Sequence, residues 1–227
     1  MDVFIMQTMC RAVLALLSLS CVAQADEYGF AEPYPEVYEK IQIRPYFMHG
    51  WNRYEVEFDP LLAERKFNTV IEVGVFLGNL TAYIAPKLPK GARYFAIDHW
   101  KGSEEHHIQG TIEYECVKNM YAQFLSNMIH LGLTKTVVPV RMPSLAAANK
   151  FKQLGIKADL IYIDAAHDYI AVYQDLVAWF PLLAPGGVFC GDDWHYHGVR
   201  IAVQQFAEKK GLSIYTNGNY WRFMPPN

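Results

Sequence analysis

The chain has 227 residues, of which 52% are hydrophobic and 19% charged. That is enough apolar material for one α/β domain with its own core, and too little length for two large ones. A formal net charge of -3 offers no overall attraction to polyanions, so neither nucleic acid nor an anionic membrane surface is indicated as a partner.

Residues 1–25 read as a secretory signal peptide. Arg11 precedes the apolar run from Ala12 to Ala23, and Ala23-Gln24-Ala25 supplies the small residues of a cleavage site before Asp26. The run is shorter than the roughly 20 apolar residues of a membrane span, so no stable span is expected in the mature chain. It also lacks the charged face that a soluble amphipathic helix would show. The expected location is therefore the secretory pathway, with a cytoplasmic chain as the alternative if the start is misassigned and Met48 or another methionine is the true one. Cys10 and Cys21 lie in or beside this leader. Cys116 and Cys190 fall in elements expected to be buried and read as small apolar core residues, not as a disulfide framework.

Residues 26–66 form an aromatic N-terminal arm or lid, with Tyr28, Phe30, Tyr34, Tyr38, Tyr46, Phe47, Trp51, Tyr54 and Phe58 among Pro33, Pro35, Pro45 and Pro60. So many large apolar side chains are expected to pack over a domain spanning residues 67–227. His49 and Trp51, flanking Gly50, are the residues of the arm nearest to a binding role.

From Thr69 onward strands and helices alternate. Thr69 to Val75 is a β-branched run of the kind buried on both faces of a parallel sheet, and Asn79 to Leu88 is a short helix stopped by Pro89 and Gly91. Arg93 to Asp98 is the second strand. Residues 113–131 carry Tyr114, Val117, Tyr121, Phe124, Leu125, Met128 and Leu131 at helical spacing, which predicts one amphipathic helix. Thr136 to Val140 is the third strand, Leu145 to Leu154 a helix, and Asp159 to Asp164 the fourth strand. Tyr169 to Leu183 is a long helix ended by Pro185-Gly186-Gly187, and Val188 to Cys190 opens the fifth strand. Val199, Ala202, Val203, Phe206 and Ala207 stripe a further helix. Leu212 to Thr216 and Tyr220 to Met224, joined by Asn217-Gly218-Asn219, form a terminal hairpin.

This order predicts a doubly wound, mostly parallel, seven-stranded sheet ending in an antiparallel hairpin. Ligands of such sheets bind beyond the carboxyl ends of the strands, and Gly74, Asp98, Asp164, Asp192 and Asp193 all fall there. A dinucleotide fingerprint needs glycine where Phe76 and Asn79 stand, which disfavours NAD. What remains is Glu72-x-Gly74-x-x-x-Gly78, a turn that lets a ligand approach the backbone, with Asp98 placed to accept hydrogen bonds from ribose hydroxyls.

From about Phe67 to Met224 the sequence resembles the class I S-adenosylmethionine-dependent methyltransferases, through Glu72-Val73-Gly74-Val75-Phe76-Leu77-Gly78 and Asp98. The closer resemblance is to O-methyltransferases of the macrocin and catechol types, through Asp164-Ala165-Ala166-His167-Asp168-Tyr169, Pro185-Gly186-Gly187 and Gly191-Asp192-Asp193-Trp194. The resemblance implies a Rossmann-like fold, S-adenosylmethionine as cofactor, and Mg²⁺ on Asp164, Asp192 and Asp193. It makes His167 the general base, and a small molecule or saccharide the acceptor. The chemistry agrees: a hydroxyl is a poor nucleophile until a hard cation lowers its pKa, and three carboxylates at one sheet edge repel one another without such a cation.

Each assignment has a plainer competitor. Asp192-Asp193 and Asp168 could cap the helices that follow them, and His167 could be an ordinary loop histidine. His195 and His197 are alternative bases or substrate contacts. His99 and Trp100 are placed to pack against adenine, and Ser144 to face it. Glu104-Glu105-His106-His107 reads as a solvated turn despite its ligand-like composition. The alternatives for the whole chain are a metal-independent methyltransferase with a histidine base, and a secreted binding protein that keeps the fold without turnover. The acceptor and the oligomeric state are not encoded in any legible pattern.

Overall fold

The computed structural model describes residues 34–50, 55–103, 107–109 and 111–224. The leader, Trp51, Tyr54 and the stretch Glu104-Glu105-His106 lie outside the described residues. No helix among those described is long and apolar enough to cross a membrane.

Seven strands form one sheet: β1 (Thr69–Val73), β2 (Arg93–Asp98), β3 (Val137–Arg141), β4 (Ala158–Ile163), β5 (Leu183–Gly191), β6 (Ser213–Asn217) and β7 (Tyr220–Met224). Their spatial order is β3-β2-β1-β4-β5-β7-β6. The first five are parallel, and β7 runs antiparallel to both β5 and β6. This is the Rossmann-like arrangement expected from the alternation. Pro139 is tolerated within β3 because that strand is an edge, where a missing ladder donor costs least.

Alternation along the strands sends side chains to two cores. Val70, Tyr94, Ala96 and Tyr162 face one, which is covered by α1 (Glu55–Glu64), α2 (Asn79–Ile84) and α4 (Met120–His130). Ile71, Val73, Phe95 and Ile163 face the other, covered by α5 (Ser144–Gln153), α6 (Tyr169–Trp179) and α7 (His197–Lys210). Helix α1 was not foreseen within the arm. It buries Phe58 and Leu61, and the Phe58 ring meets those of Tyr162 and Tyr220 edge-on at 5.8 and 5.9 Å.

The single helix expected over 113–131 is two, α3 (Ile112–Val117) and α4, broken at Lys118-Asn119. Asn119 leaves helical geometry at φ -138° and ψ 19°. The apolar stripe belongs to α4, whereas α3 buries no residue. Thr111 caps α3 by accepting from the Tyr114 N–H, and Asp168 caps α6 by accepting from the Ala171 N–H. Strand β5 begins at Leu183, so Pro185-Gly186-Gly187 lies inside an irregular strand start and does not precede it.

The arm is ordered where it is described, as a strap across α4. Ser126 Oγ accepts from the Arg44 N–H at 3.0 Å, Gln123 Nε2 donates to the Pro45 carbonyl at 2.9 Å, and a His130 ring nitrogen meets the Arg44 carbonyl at 2.8 Å. Asn127 holds Phe47 at both ends of its backbone, by 2.8 and 3.2 Å bonds, and also donates to the Leu77 carbonyl at 3.0 Å. Gln123, Ser126, Asn127 and His130 follow the spacing that puts residues on one helical face. The spacing that marked an apolar stripe on this helix therefore sits beside a polar one that reads the strap.

Candidate active site

Strand register aligns the site. Val73 pairs with Ile97 and Ile163, and Ile163 pairs with Gly191. The next residue of each strand therefore stands at one height: Gly74, Asp98, Asp164 and Asp192. Hydrogen bonds continue across them, from Gly74 N–H to Ile97 O (2.9 Å), Asp164 N–H to Val73 O (2.8 Å) and Asp192 N–H to Ile163 O (3.2 Å). All four residues are thus brought to the carboxyl edge, as expected.

The glycine turn lies between β1 and α2. Gly74 has φ +88°, and a Cβ on it would fall 1.8 Å from the Asp164 carbonyl oxygen. Gly78 has φ +87°, and a Cβ there would sit 2.8 to 2.9 Å from Met128 and Phe124 of α4. Space that the sequence reading gave to an approaching ligand is taken up on these sides by protein. The glycines are required so that the turn can cross the end of β4 and seat α2 against α4.

Asp98 is already engaged. Its Oδ2 accepts from the N–H groups of Val75 and Phe76, each at 3.0 Å, and its Oδ1 accepts from the Trp100 N–H at 2.6 Å. Glu72 does not open on the site: it is 2% exposed and accepts from Thr81 Oγ1 at 2.5 Å and Tyr94 OH at 2.7 Å. Burial pushes its carboxyl up to about 8, against the lowering effect of those two hydroxyls. The Ser144 hydroxyl is also engaged, donating to Asp175 and accepting from Trp179 Nε1 between α5 and α6. Trp100 is packed on Tyr121 and Phe124 at 4.7 and 4.9 Å, behind the turn. His99 keeps an exposed ring, 3.7 Å from Asp98 Oδ1, and its Nδ1 accepts from the Lys101 N–H.

The remaining acids lie on β4 and β5. Asp164, Asp192 and Asp193 line a cavity of about 10 Å³ together with Ala165, Ala166, Val199 and Trp221, a volume on the scale of one water. Burial, then repulsion from Asp192 and Asp193, holds the Asp164 carboxyl well above the usual range. Burial also raises Asp192, opposed by the N–H of Asp193 on its Oδ1 at 2.8 Å. Asp193 also meets His167, whose Nε2 lies 2.8 Å from its Oδ2. In this conformation no three His, Cys, Asp or Glu side chains among the described residues converge as a ready metal cluster. His167 stacks flat on Tyr196, with centroids 4.3 Å apart and planes 3° from parallel, and His195 leans on the same ring at 4.1 Å. His197 opens α7 and is exposed.

Several supports come from outside the acids and the glycine turn, and of these only His49 was singled out by the sequence. Gly198 is one: a Cβ there would lie 2.3 Å from the His167 carbonyl, so it admits α7 against the loop that carries His167. Trp221 is another, donating from Nε1 to the Asp192 carbonyl at 2.8 Å from within the terminal hairpin. A third is His49, whose Nε2 lies 2.8 Å from a Glu113 carboxylate oxygen and whose ring stands edge-on to Phe76 at 6.3 Å. This brings the described end of the strap to the glycine turn.

A family model described as a methyltransferase domain matches residues 71–194, which takes in the glycine turn, Asp98 and all three acids. The chain belongs to this methyltransferase family. Among solved structures, the methyltransferase is similar to an O-methyltransferase from Bacillus cereus in complex with SAH, at 17% identity, TM-score 0.55 and coverage of 83% of this chain and 86% of that one. It is also similar to the O-methyltransferase TomG from Streptomyces achromogenes in complex with SAM, at 18% identity, TM-score 0.54 and coverage of 72% and 74%. A third is CalS11, a TDP-rhamnose 3'-O-methyltransferase, at 13% identity, TM-score 0.51 and coverage of 76% and 77%. At such identities the likeness shows the fold. No curated protein sequence matches the methyltransferase.

Proposed function

We propose that this methyltransferase uses S-adenosylmethionine to methylate a hydroxyl of a small molecule or saccharide, with Mg²⁺ held by acids of β4 and β5. One observation carries the reading: the glycine turn and Asp98 share a single strand register with Asp164 and Asp192, so donor and acceptor halves meet at one edge. The SAH and SAM bound by the Bacillus and TomG structures support the donor, and the sugar acceptor of CalS11 supports the acceptor class.

The donor set suits a hard cation, because three carboxylates surround a cavity of ion-like size and two of them are raised by burial and mutual repulsion. Asp164, Asp192 and Asp193, which line one cavity, would hold the ion. Bound there, the cation supplies a lowered pKa for the acceptor hydroxyl. The residues do the rest by position. The 2.8 Å contact of Asp193 Oδ2 with His167 Nε2 orients the His167 ring, which takes up the proton of the acceptor hydroxyl. Tyr196 fixes the plane of that ring.

The His167–Asp193 pair also favours a second reading, in which a carboxylate-oriented histidine acts without metal. Calorimetric titration of the protein with S-adenosylmethionine, with and without MgCl₂, followed by turnover on a panel of hydroxylated acceptors, separates the two. The first reading expects donor binding, turnover lost in EDTA, and turnover lost in Asp164→Asn. Turnover that survives both supports the histidine alone. Donor binding without turnover on any acceptor points to a binding protein, and no donor binding refutes the assignment.

A further inference from the structure

Among the described residues, the non-glycine positions with positive φ are Phe76 (51°), Trp100 (50°) and Asp193 (66°), and all lie at this edge. A side chain in that region is strained and persists only where its surroundings over-determine it. For Phe76 the surroundings are visible. Its N–H donates to Asp98 Oδ2 at 3.0 Å, and its carbonyl accepts from Trp100 Nε1 at 2.8 Å, so both ends of the residue are clamped. Trp100 is itself clamped, by its N–H on Asp98 Oδ1 and by an indole that is 3% exposed against Tyr121 and Phe124 of α4.

We infer that Trp100 is a positioning residue for the methyl donor, acting through Phe76, and that Asp98 is the post on which the clasp closes. The inference rests on the donor-binding reading above. Phe76 stands where a glycine would adopt the left-handed turn without strain; here an indole N–H and a carboxylate impose that turn on a phenylalanine. The same bonds change what Asp98 can offer. Oδ2 carries two backbone donors and is saturated, which leaves one acceptor position on Oδ1. A ribose diol therefore meets a carboxylate that takes one hydroxyl, and affinity depends on the turn being held ready before the ligand arrives. Where only a fraction of molecules holds the binding conformation, apparent affinity falls by that fraction.

The test uses the full chain and SAH as probe, with calorimetric affinity and amide exchange at Phe76 as readouts. Trp100→Phe keeps an aromatic ring against α4, though a smaller one, and removes the N–H to Phe76; the Phe76→Gly rescue separates the two effects. It is expected to weaken SAH binding by about five-fold or more and to speed Phe76 amide exchange. Adding Phe76→Gly to Trp100→Phe is expected to restore the affinity, because glycine needs no clamp, whereas a loss caused by general loosening of the fold would stay. Unchanged SAH affinity in Trp100→Phe overturns the inference, and so does a loss that the glycine does not rescue. If the wild-type protein does not bind SAH, the donor assignment falls and this inference with it; if only the variants behave otherwise than stated, the donor assignment stands alone.

Discussion

Asn127→Ala is the substitution that most directly tests the strap. Asn127 is fully buried, with 0% exposure. Its Nδ2 donates to Phe47 O and Leu77 O at 2.8 and 3.0 Å, and its Oδ1 accepts from Phe47 N–H and Gln123 Nε2 at 3.2 and 3.1 Å. Phe47 is 44% exposed, so its peptide can recover water once the strap lifts. The Leu77 carbonyl cannot, and a buried group left unsatisfied costs about 1–3 kcal/mol. At the upper end, roughly 3 kcal/mol, this lowers Tm by about 6–12 °C for a chain of this size. Calorimetry gives the Tm, and amide exchange at Phe47 together with chymotryptic cleavage after Phe47 reports the strap. A fall of less than about 2 °C with Phe47 still protected would refute the idea that α4 templates this segment.

Glu72 gives a pH signature. Its folded value is about 8 against an ordinary 4.5, so the folded state binds the proton more tightly than the unfolded chain. Its contribution is fully present below about pH 4.5 and is lost as pH rises toward 8, at up to about 1.4 kcal/mol per pH unit. Glu72→Gln should therefore show a flatter stability–pH curve than wild type between pH 5 and 8 in urea titrations, the variants' difference isolating this group from Asp164 and Asp175. Parallel curves would contradict the burial argument. Gly198→Val should displace the loop at His167, because even a Cβ would approach its carbonyl to 2.3 Å. The expected result is a turnover loss of at least ten-fold with SAH affinity unchanged, and equal losses in both would show that the contact is not local to the acceptor half.

The parts of the site that the sequence exposed are those a single strand end can carry. Asp98, Asp164 and Asp192 each follow an apolar run, and a parallel sheet then has little choice about where they point. The cap at Asp168 was legible for the same local reason. What escaped depends on partners far along the chain. Glu72 and Ser144 looked like surface groups of the edge, but Tyr94 lies 22 residues from the first and Asp175 31 from the second, and those partners draw both side chains inward. The enclosure of Trp100 by Tyr121 and Phe124 of α4 had no local sign either. The break at Lys118-Asn119 was hidden because Tyr114 and Val117 extend the apolar spacing of α4 although α3 buries nothing. Helix α1 was hidden by Pro60, which it tolerates within its length.

The common height of Gly74, Asp98, Asp164 and Asp192 sets what can vary in this scaffold. Neighbouring strands fix one another's register, so adding or deleting one residue inside β1, β2, β4 or β5 would move an acid by about 3.3 Å and turn it to the opposite side of the sheet. Insertions after the edge, in the loops that follow Asp98 or Asp164, change neither. The molecule thus separates two kinds of heritable change: strand length is locked to the position of the reacting groups, while loop length is free to reshape what the edge admits.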